Sequence, residues 1–144
     1  MSNTTEPAVR HPNNALAILY VFLGGVIGTG IRAGLCFLQP DSWHWPWIVF
    51  LINICGAFLL GLINAAVSAR SAKHPGIKMF STFAGTGIMG AFTTYGTFVH
   101  ETDMRFLAGL SGVAIAYAII SIIVGILCAG LGLWLGHILF DRHE

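Results

Sequence analysis

From Phe106 to Phe140 the chain carries no Asp, Glu, Lys or Arg, and an uncharged run of that length restricts the fold more than any other feature. A helix needs only about 20 apolar residues to cross the ~30 Å hydrocarbon layer of a bilayer. At about 1.5 Å per residue a straight helix over this run overshoots that layer, so it must tilt, bend or protrude. Gly125, Gly130, Gly132 and Gly136 are where a break is easiest. Three more apolar stretches can be cut out at the charges: Leu16 to Leu38, interrupted by Arg32; Trp45 to Ser68; and Ile77 to Val99, interrupted near its start by Lys78. Only 9% of residues are charged and mean hydropathy is +0.78, against about 25% charged residues in soluble domains. The expected class is an all-α integral membrane protein with four transmembrane helices over residues 15–140. Residues 1–14 read as a disordered leader, with Asn13 or Asn14 as a start cap, and residues 141–144 as a short tail. A cleaved signal peptide fits poorly, because a polar leader precedes a long stretch and no small-residue cleavage site follows.

The stretch Ala91 to Val99 departs from what lipid requires. It places Thr93, Thr94 and Thr97 beside Gly96, Phe92, Tyr95 and Phe98 in otherwise apolar surroundings. Every backbone N–H and C=O in hydrocarbon must find a partner within the protein, so a β-branched, hydroxyl-rich run at that depth points to backbone that lines a cavity or binds something. The threonines also fit hydroxyls bonded back to their own helix.

Polar residues elsewhere in the stretches narrow the search. Arg32 costs roughly 2.5 to 3.5 kcal/mol at a helix centre on insertion scales, so it either snorkels to an interface or stands at an aqueous vestibule where it concentrates anions. Asn53 lies well inside the second stretch, as helix–helix glue or as a ligand donor. Tyr117, Ser121 and Gly125 recur every four residues and share one helix face, which suits an interhelical hydrogen bond or a pore lining. Glu101 marks the end of the third stretch. Nowhere does an Asp or Glu lie deep in a span, which leaves proton-coupled carboxylate transport without a carrier. Trp43, Trp45 and Trp47 read as anchors at the headgroup layer. Cys36, Cys55 and Cys128 show neither metal spacing nor a disulfide framework, and the histidines show no HExxH motif.

Close packing is written as Gly24xxxGly28, Gly30xxxGly34 and Gly132xxxGly136, with Ala57xxxGly61 as a variant. Small residues let helix backbones approach where hydrophobicity gives no drive to associate. Four helices bury few side chains away from lipid, so an oligomer, a dimer at least, is expected. Arg10, Arg70, Lys73, Lys78 and Arg142 fall on one side of a four-span arrangement, against Arg105 and Arg32 on the other. The positive-inside rule then predicts cytoplasmic termini.

Three segments occur in a telling order: GGVIGTGIRAGL from Gly24, INICGAFLLGLINA from Ile52 and GTGIMGAFTTYGTFVHE from Gly85. Together they resemble the GGxxGxxxR, VNxxGxFxxG and GxTTFSTFxxE patterns of the Fluc/CrcB family of small fluoride channels, over about Leu23 to Ser121. The resemblance implies a fluoride pore lined by Asn53, Tyr95, Thr97, Phe98, Tyr117 and Ser121. Asn53 would donate to the anion, and the edges of Tyr95 and Phe98, the positive part of the ring quadrupole, would face it. Arg32 matches a vestibule arginine and Glu101 an acidic residue at the pore end. The resemblance also implies a break in the third helix around Gly90 to Thr94, with the backbone carbonyls of Gly90 and Thr93 holding a structural sodium ion at the interface of an antiparallel, dual-topology dimer.

Several positions depart from the pattern. Tyr95 stands for a phenylalanine, Gly96 for a serine, Ala91 for a glycine, Val49 for a threonine and Gly125 for a polar residue, which thins the hydroxyl lining. Dual topology goes with a near-zero Lys/Arg bias, so the bias here leaves a homodimer and a pairing with an inverted paralogue both open. The expected function is passive fluoride efflux across a cell inner membrane, with fluoride and lipid as partners, no nucleic acid and no enzymatic activity. No GxxxxGK[ST] segment is present to power a pump. A small multidrug transporter needs a membrane carboxylate in its first helix, where this chain has Arg32. A structural subunit of a membrane complex predicts no ion flux.

Overall fold

The computed structural model describes residues 14–40, 44–70 and 75–140, and all regular structure among them is helical. Helices α1 (Asn14–Cys36) and α2 (Trp47–Arg70) form the first two crossings. The third is composite. It runs through α3 (Pro75–Phe80), a π-helical segment (Ser81–Met89), the single turn α4 (Gly90–Phe92), two extended residues, and α5 (Tyr95–Leu107). Helix α6 (Ser111–Phe140) completes the set. Helices α1, α2 and α6 are each long and apolar enough to span a bilayer. The expected tails lie outside the described residues, except that Asn14 already belongs to α1.

Two boundaries correct the sequence reading. The uncharged run from Phe106 is not one element, because α5 continues to Leu107 and the chain turns at Gly109, whose φ of 75° is open to glycine at no steric cost. Helix α6 then runs for 30 residues without interruption, so none of its glycines marks a break. At the start of α2, Trp45 and Pro46 stay outside the helix. The Pro46 carbonyl accepts the Phe50 N–H at 3.0 Å, in keeping with a residue that fixes φ and has no N–H to donate.

The helices pair by their small residues. Helix α6 lies along α2 with its buried Gly132 and Gly136 against the backbone of Phe58 and Leu62 and the side chain of Ala65, while Gly61 faces Ala129. A Cβ at Gly132 would collide with the Phe58 carbonyl oxygen. The α1 pair Gly24 and Gly28 meets the π-helical segment in the same way, and a Cβ at Gly87 would sit 2.9 Å from the Cα of Gly24. Matching residues advance together in both pairs (Trp45 with Tyr117 and Ala65 with Gly136; Tyr20 with Phe83 and Gly28 with Phe92), so each pair runs parallel. Gly30 and Gly34, read as a third packing motif, face open space within the protomer. Most large apolar side chains of α1 and α6 point outward, as lipid requires. This is a multi-pass membrane protein.

Candidate functional site

The third crossing breaks at Thr93 (φ −72°, ψ 154°) and Thr94 (φ −148°, ψ 120°). Gly90 to Phe92 remain helical, so the interruption is shorter than the segment expected from the sequence. Backbone groups freed at membrane depth must be satisfied by the protein itself, and here one side chain takes two of them. Asn53 Oδ1 accepts the Thr94 N–H at 2.8 Å and its Nδ2 donates to the Thr94 carbonyl at 3.2 Å. The carboxamide acts as a substitute peptide unit laid across the gap. One turn along α2, Gly56 supplies the clearance, since a Cβ there would run into the Thr93 methyl group.

The remaining groups at the break are shared out locally. Arg32 Nε donates to the Ala91 carbonyl at 3.1 Å, so this half-buried guanidinium turns into the protein rather than only toward an interface. Thr93 Oγ1 donates to the Met89 carbonyl at 3.0 Å. Thr94 Oγ1 accepts the Thr97 N–H at 3.1 Å and donates to Thr97 Oγ1 at 3.0 Å, capping α5. Removing that cap costs helices about 1 kcal/mol. Thr94→Ala is therefore expected to lower the thermal unfolding midpoint in detergent, while Thr94→Ser, which keeps the oxygen, holds close to wild type. In an unbroken helix the Thr94 and Thr97 N–H groups would bond the Gly90 and Thr93 carbonyls. Their diversion to Asn53 and to Thr94 Oγ1 takes those helical donors away from both oxygens.

Beyond the break stands an aromatic wall. The Phe98 ring packs on Tyr117 with centroids 5.2 Å apart, Tyr95 lies 6.3 Å from Phe98, and Trp45 meets Tyr117 edge-on at 5.5 Å. Tyr117 is fully buried, whereas Tyr95 is 80% exposed on the outer face. Three polar side-chain atoms are buried here: Trp45 Nε1 has no hydrogen-bond partner among the described residues, and the Tyr117 hydroxyl and Ser121 Oγ have none beyond each other. A buried polar atom left without a partner costs about 1–3 kcal/mol unless something occupies it. Glu101 follows Phe98 by three residues on α5, hence on the same face, and its carboxylate accepts from Gln39 Nε2 at 3.1 Å and pairs with Arg105.

The fold thus gathers Asn53, Thr93, Thr94 and Thr97 at the break, Phe98, Tyr117 and Ser121 along one wall, and Glu101 beyond it. It leaves Gly90 and Tyr95 exposed on the protomer surface. Two residues escaped the sequence reading. Arg105, placed there in a connection, is buried in the last turn of α5; its spacing of four from Glu101, the helical ion-pair spacing, was the available signal. Trp45, read as a headgroup anchor, turns its indole onto Tyr117, and its Nε1 is buried. Its neighbour Trp47 remains exposed, and Trp43 lies outside the described residues.

The family described as "CrcB-like protein, Camphor Resistance (CrcB)" matches residues 19–133. A protein of Deinococcus radiodurans named fluoride-specific ion channel FluC is 41% identical over 121 residues, covering 82% of this chain and 93% of its own. One from Leifsonia xyli named fluoride-specific ion channel FluC 2 is 37% identical over 120 residues, 83% of each chain. A third, from Mycobacterium tuberculosis and named fluoride-specific ion channel FluC 1, is 38% identical over 116 residues, 77% of this chain and 83% of its own. With four crossings, the third of them broken, and a match over most of its length, the chain belongs to the CrcB family.

Proposed function

We propose that this protein is a passive, fluoride-selective channel of a bacterial-type inner membrane. Hydrogen fluoride crosses lipid as a neutral molecule and ionises in the less acidic cytoplasm; a channel then lets the trapped anion leave down its electrochemical gradient. The observation that carries the reading is the pair of buried hydroxyls on Tyr117 and Ser121, without partners beyond each other, beside the Phe98 ring. Fluoride is small and strongly hydrated, so it enters only where donors replace its water. The Asn53 carboxamide has two N–H donors and spends one on Thr94, which leaves a second for the anion. The relatives' names point the same way.

Phe98 presents a ring edge to the path and supports Tyr117. Phe98→Ile is expected to keep the fold and lower fluoride flux at least about tenfold, through loss of the quadrupole and of an aromatic pair worth roughly 0.5–1.5 kcal/mol. Flux equal to wild type would remove the ring from the path.

The working unit in this proposal is an inverted dimer. The exposed Tyr95, Gly90 and Gly96 lie on the face that a second protomer covers, and Arg32 serves a vestibule that draws anions in. The Gly90 and Thr93 carbonyls, deprived of their helical donors, suit a structural sodium ion that supplies fixed positive charge between protomers. A high-resolution map lacking cation density at the crossing of the two breaks overturns the sodium assignment.

The test of function is fluoride efflux from liposomes holding only the purified protein, read by a fluoride electrode with valinomycin clamping the voltage and chloride as the parallel ion. Rapid fluoride release without chloride release establishes a selective channel built from this chain alone. Silence from folded protein rejects the homodimer and directs the search to an inverted paralogue or to a purely structural role.

A further inference from the structure

The carboxylate beyond Phe98 poses an electrostatic problem for an anion path, and the structure holds the answer close by. Arg105 is 9% exposed, deeply buried for a charged residue. Its Nε donates to the His44 carbonyl at 2.9 Å, and Nη1 donates to the Glu101 carbonyl at 2.9 Å while pairing with Glu101 Oε2. The other carboxylate oxygen, Oε1, accepts from Gln39 Nε2, and Gln39 Oε1 accepts the Ile48 N–H at 3.3 Å. One network therefore ties the end of α5, the end of the α1–α2 connection and the first turn of α2 around Glu101. Buried charges are little screened, so a bare carboxylate one turn past Phe98 would repel any anion arriving along the Phe98–Tyr117 wall.

We propose that Arg105 is a positioning residue for conduction: it offsets the Glu101 charge and pins that carboxylate against the chain entering α2, so that the anion leaves past a compensated rather than a bare carboxylate. The inference rests on the fluoride-channel reading above. A purely structural clamp makes different predictions. If charge cancellation is the function, removing the carboxylate restores what removing the arginine destroys; if the network only holds the helices together, the double change is as harmful as the single one.

The experiment is fluoride efflux from liposomes for the wild type, R105Q, R105K and E101Q/R105Q, with thermal unfolding and size-exclusion profiles to verify folding. R105Q is expected to lose roughly 10- to 100-fold in flux, within the 10- to 1,000-fold over which local fields alter ion encounter, and added salt is expected to leave most of that deficit in place because the uncompensated carboxylate is largely buried. E101Q/R105Q is expected to conduct several-fold faster than R105Q, in line with removal of the uncompensated charge. Folded wild-type protein without fluoride flux overturns the homodimeric channel on which the inference rests. Active wild type with equally active R105Q, or an E101Q/R105Q variant as slow as R105Q, overturns the role of Arg105 and leaves the channel standing. Should R105Q not yield a monodisperse protein, R105K decides: flux within a few-fold of wild type supports charge cancellation, and a tenfold loss from folded R105K overturns it.

Discussion

Asn53→Asp is expected to abolish fluoride efflux. A carboxylate at the break places a like charge in the anion's path, and two unit charges about 4 Å apart at an effective dielectric near 20 repel by about 4 kcal/mol, roughly a thousandfold in rate. The substitution also strikes the break, since Asp keeps the acceptor for the Thr94 N–H but loses the donor that meets the Thr94 carbonyl at 3.2 Å. The two effects separate in measurement. Liposome flux reports the first and thermal unfolding in detergent the second, where a lost donor to a buried carbonyl costs about 1–3 kcal/mol. Undiminished fluoride flux in Asn53→Asp removes the side chain from the path, whatever its structural cost.

Gly132→Leu is expected to prevent α2 and α6 from associating. A Cβ at Gly132 already collides with the Phe58 carbonyl oxygen and would lie 3.1 Å from the Leu62 N, both of them backbone atoms that cannot rotate away. Apolar attraction between helices is weak in lipid, and the close approach of backbones takes its place. A leucine therefore removes the main contact rather than adding to it. The cost exceeds the 1–3 kcal/mol, roughly, of ordinary overpacking, because the obstacle is main chain. The expected result is loss of the monodisperse species on size exclusion and no fluoride flux. Gly130→Leu is the control, since a Cβ at Gly130 meets nothing within 4 Å inside the protomer. A Gly132→Leu protein as stable as wild type would show that the two backbones do not approach as described.

The same contrast shows where sequence reading succeeds. GxxxG spacing identified Gly24, Gly28, Gly132 and Gly136 as contact points, and each is buried against a neighbouring helix. It proposed Gly30 and Gly34 with equal force, yet these face open space in the protomer, because spacing reports that a surface is smooth and not what lies against it. The glycines of α6 were offered as weak points, but a helix flanked by a partner at close range keeps its hydrogen bonds and needs no break. The Thr-rich segment was recognised as unusual from composition alone. That Asn53 spans its gap was not legible, because the partners lie 41 positions apart and hydrogen bonding to a backbone leaves no periodic trace. Arg105 was placed in a connection and Trp45 at the headgroup layer, and contacts with Glu101 and His44 for the first and with Tyr117 for the second overrode both readings.

What the sequence by itself determined is the solvent and the class. Long uncharged stretches require lipid, lipid requires every backbone group to be satisfied internally, and helices with small-residue faces follow from that. The order of the glycine, asparagine and threonine-aromatic segments carried the family. What only the tertiary structure decided is where each polar group spends its hydrogen bonds: Asn53 on Thr94, Arg32 on Ala91, Glu101 between Gln39 and Arg105, and Tyr117 and Ser121 on nothing among the described residues beyond each other. Residue type states a capacity to donate or accept. Whether that capacity is consumed or left available to an ion depends on atoms distant in the chain, brought within hydrogen-bond range only by helix packing.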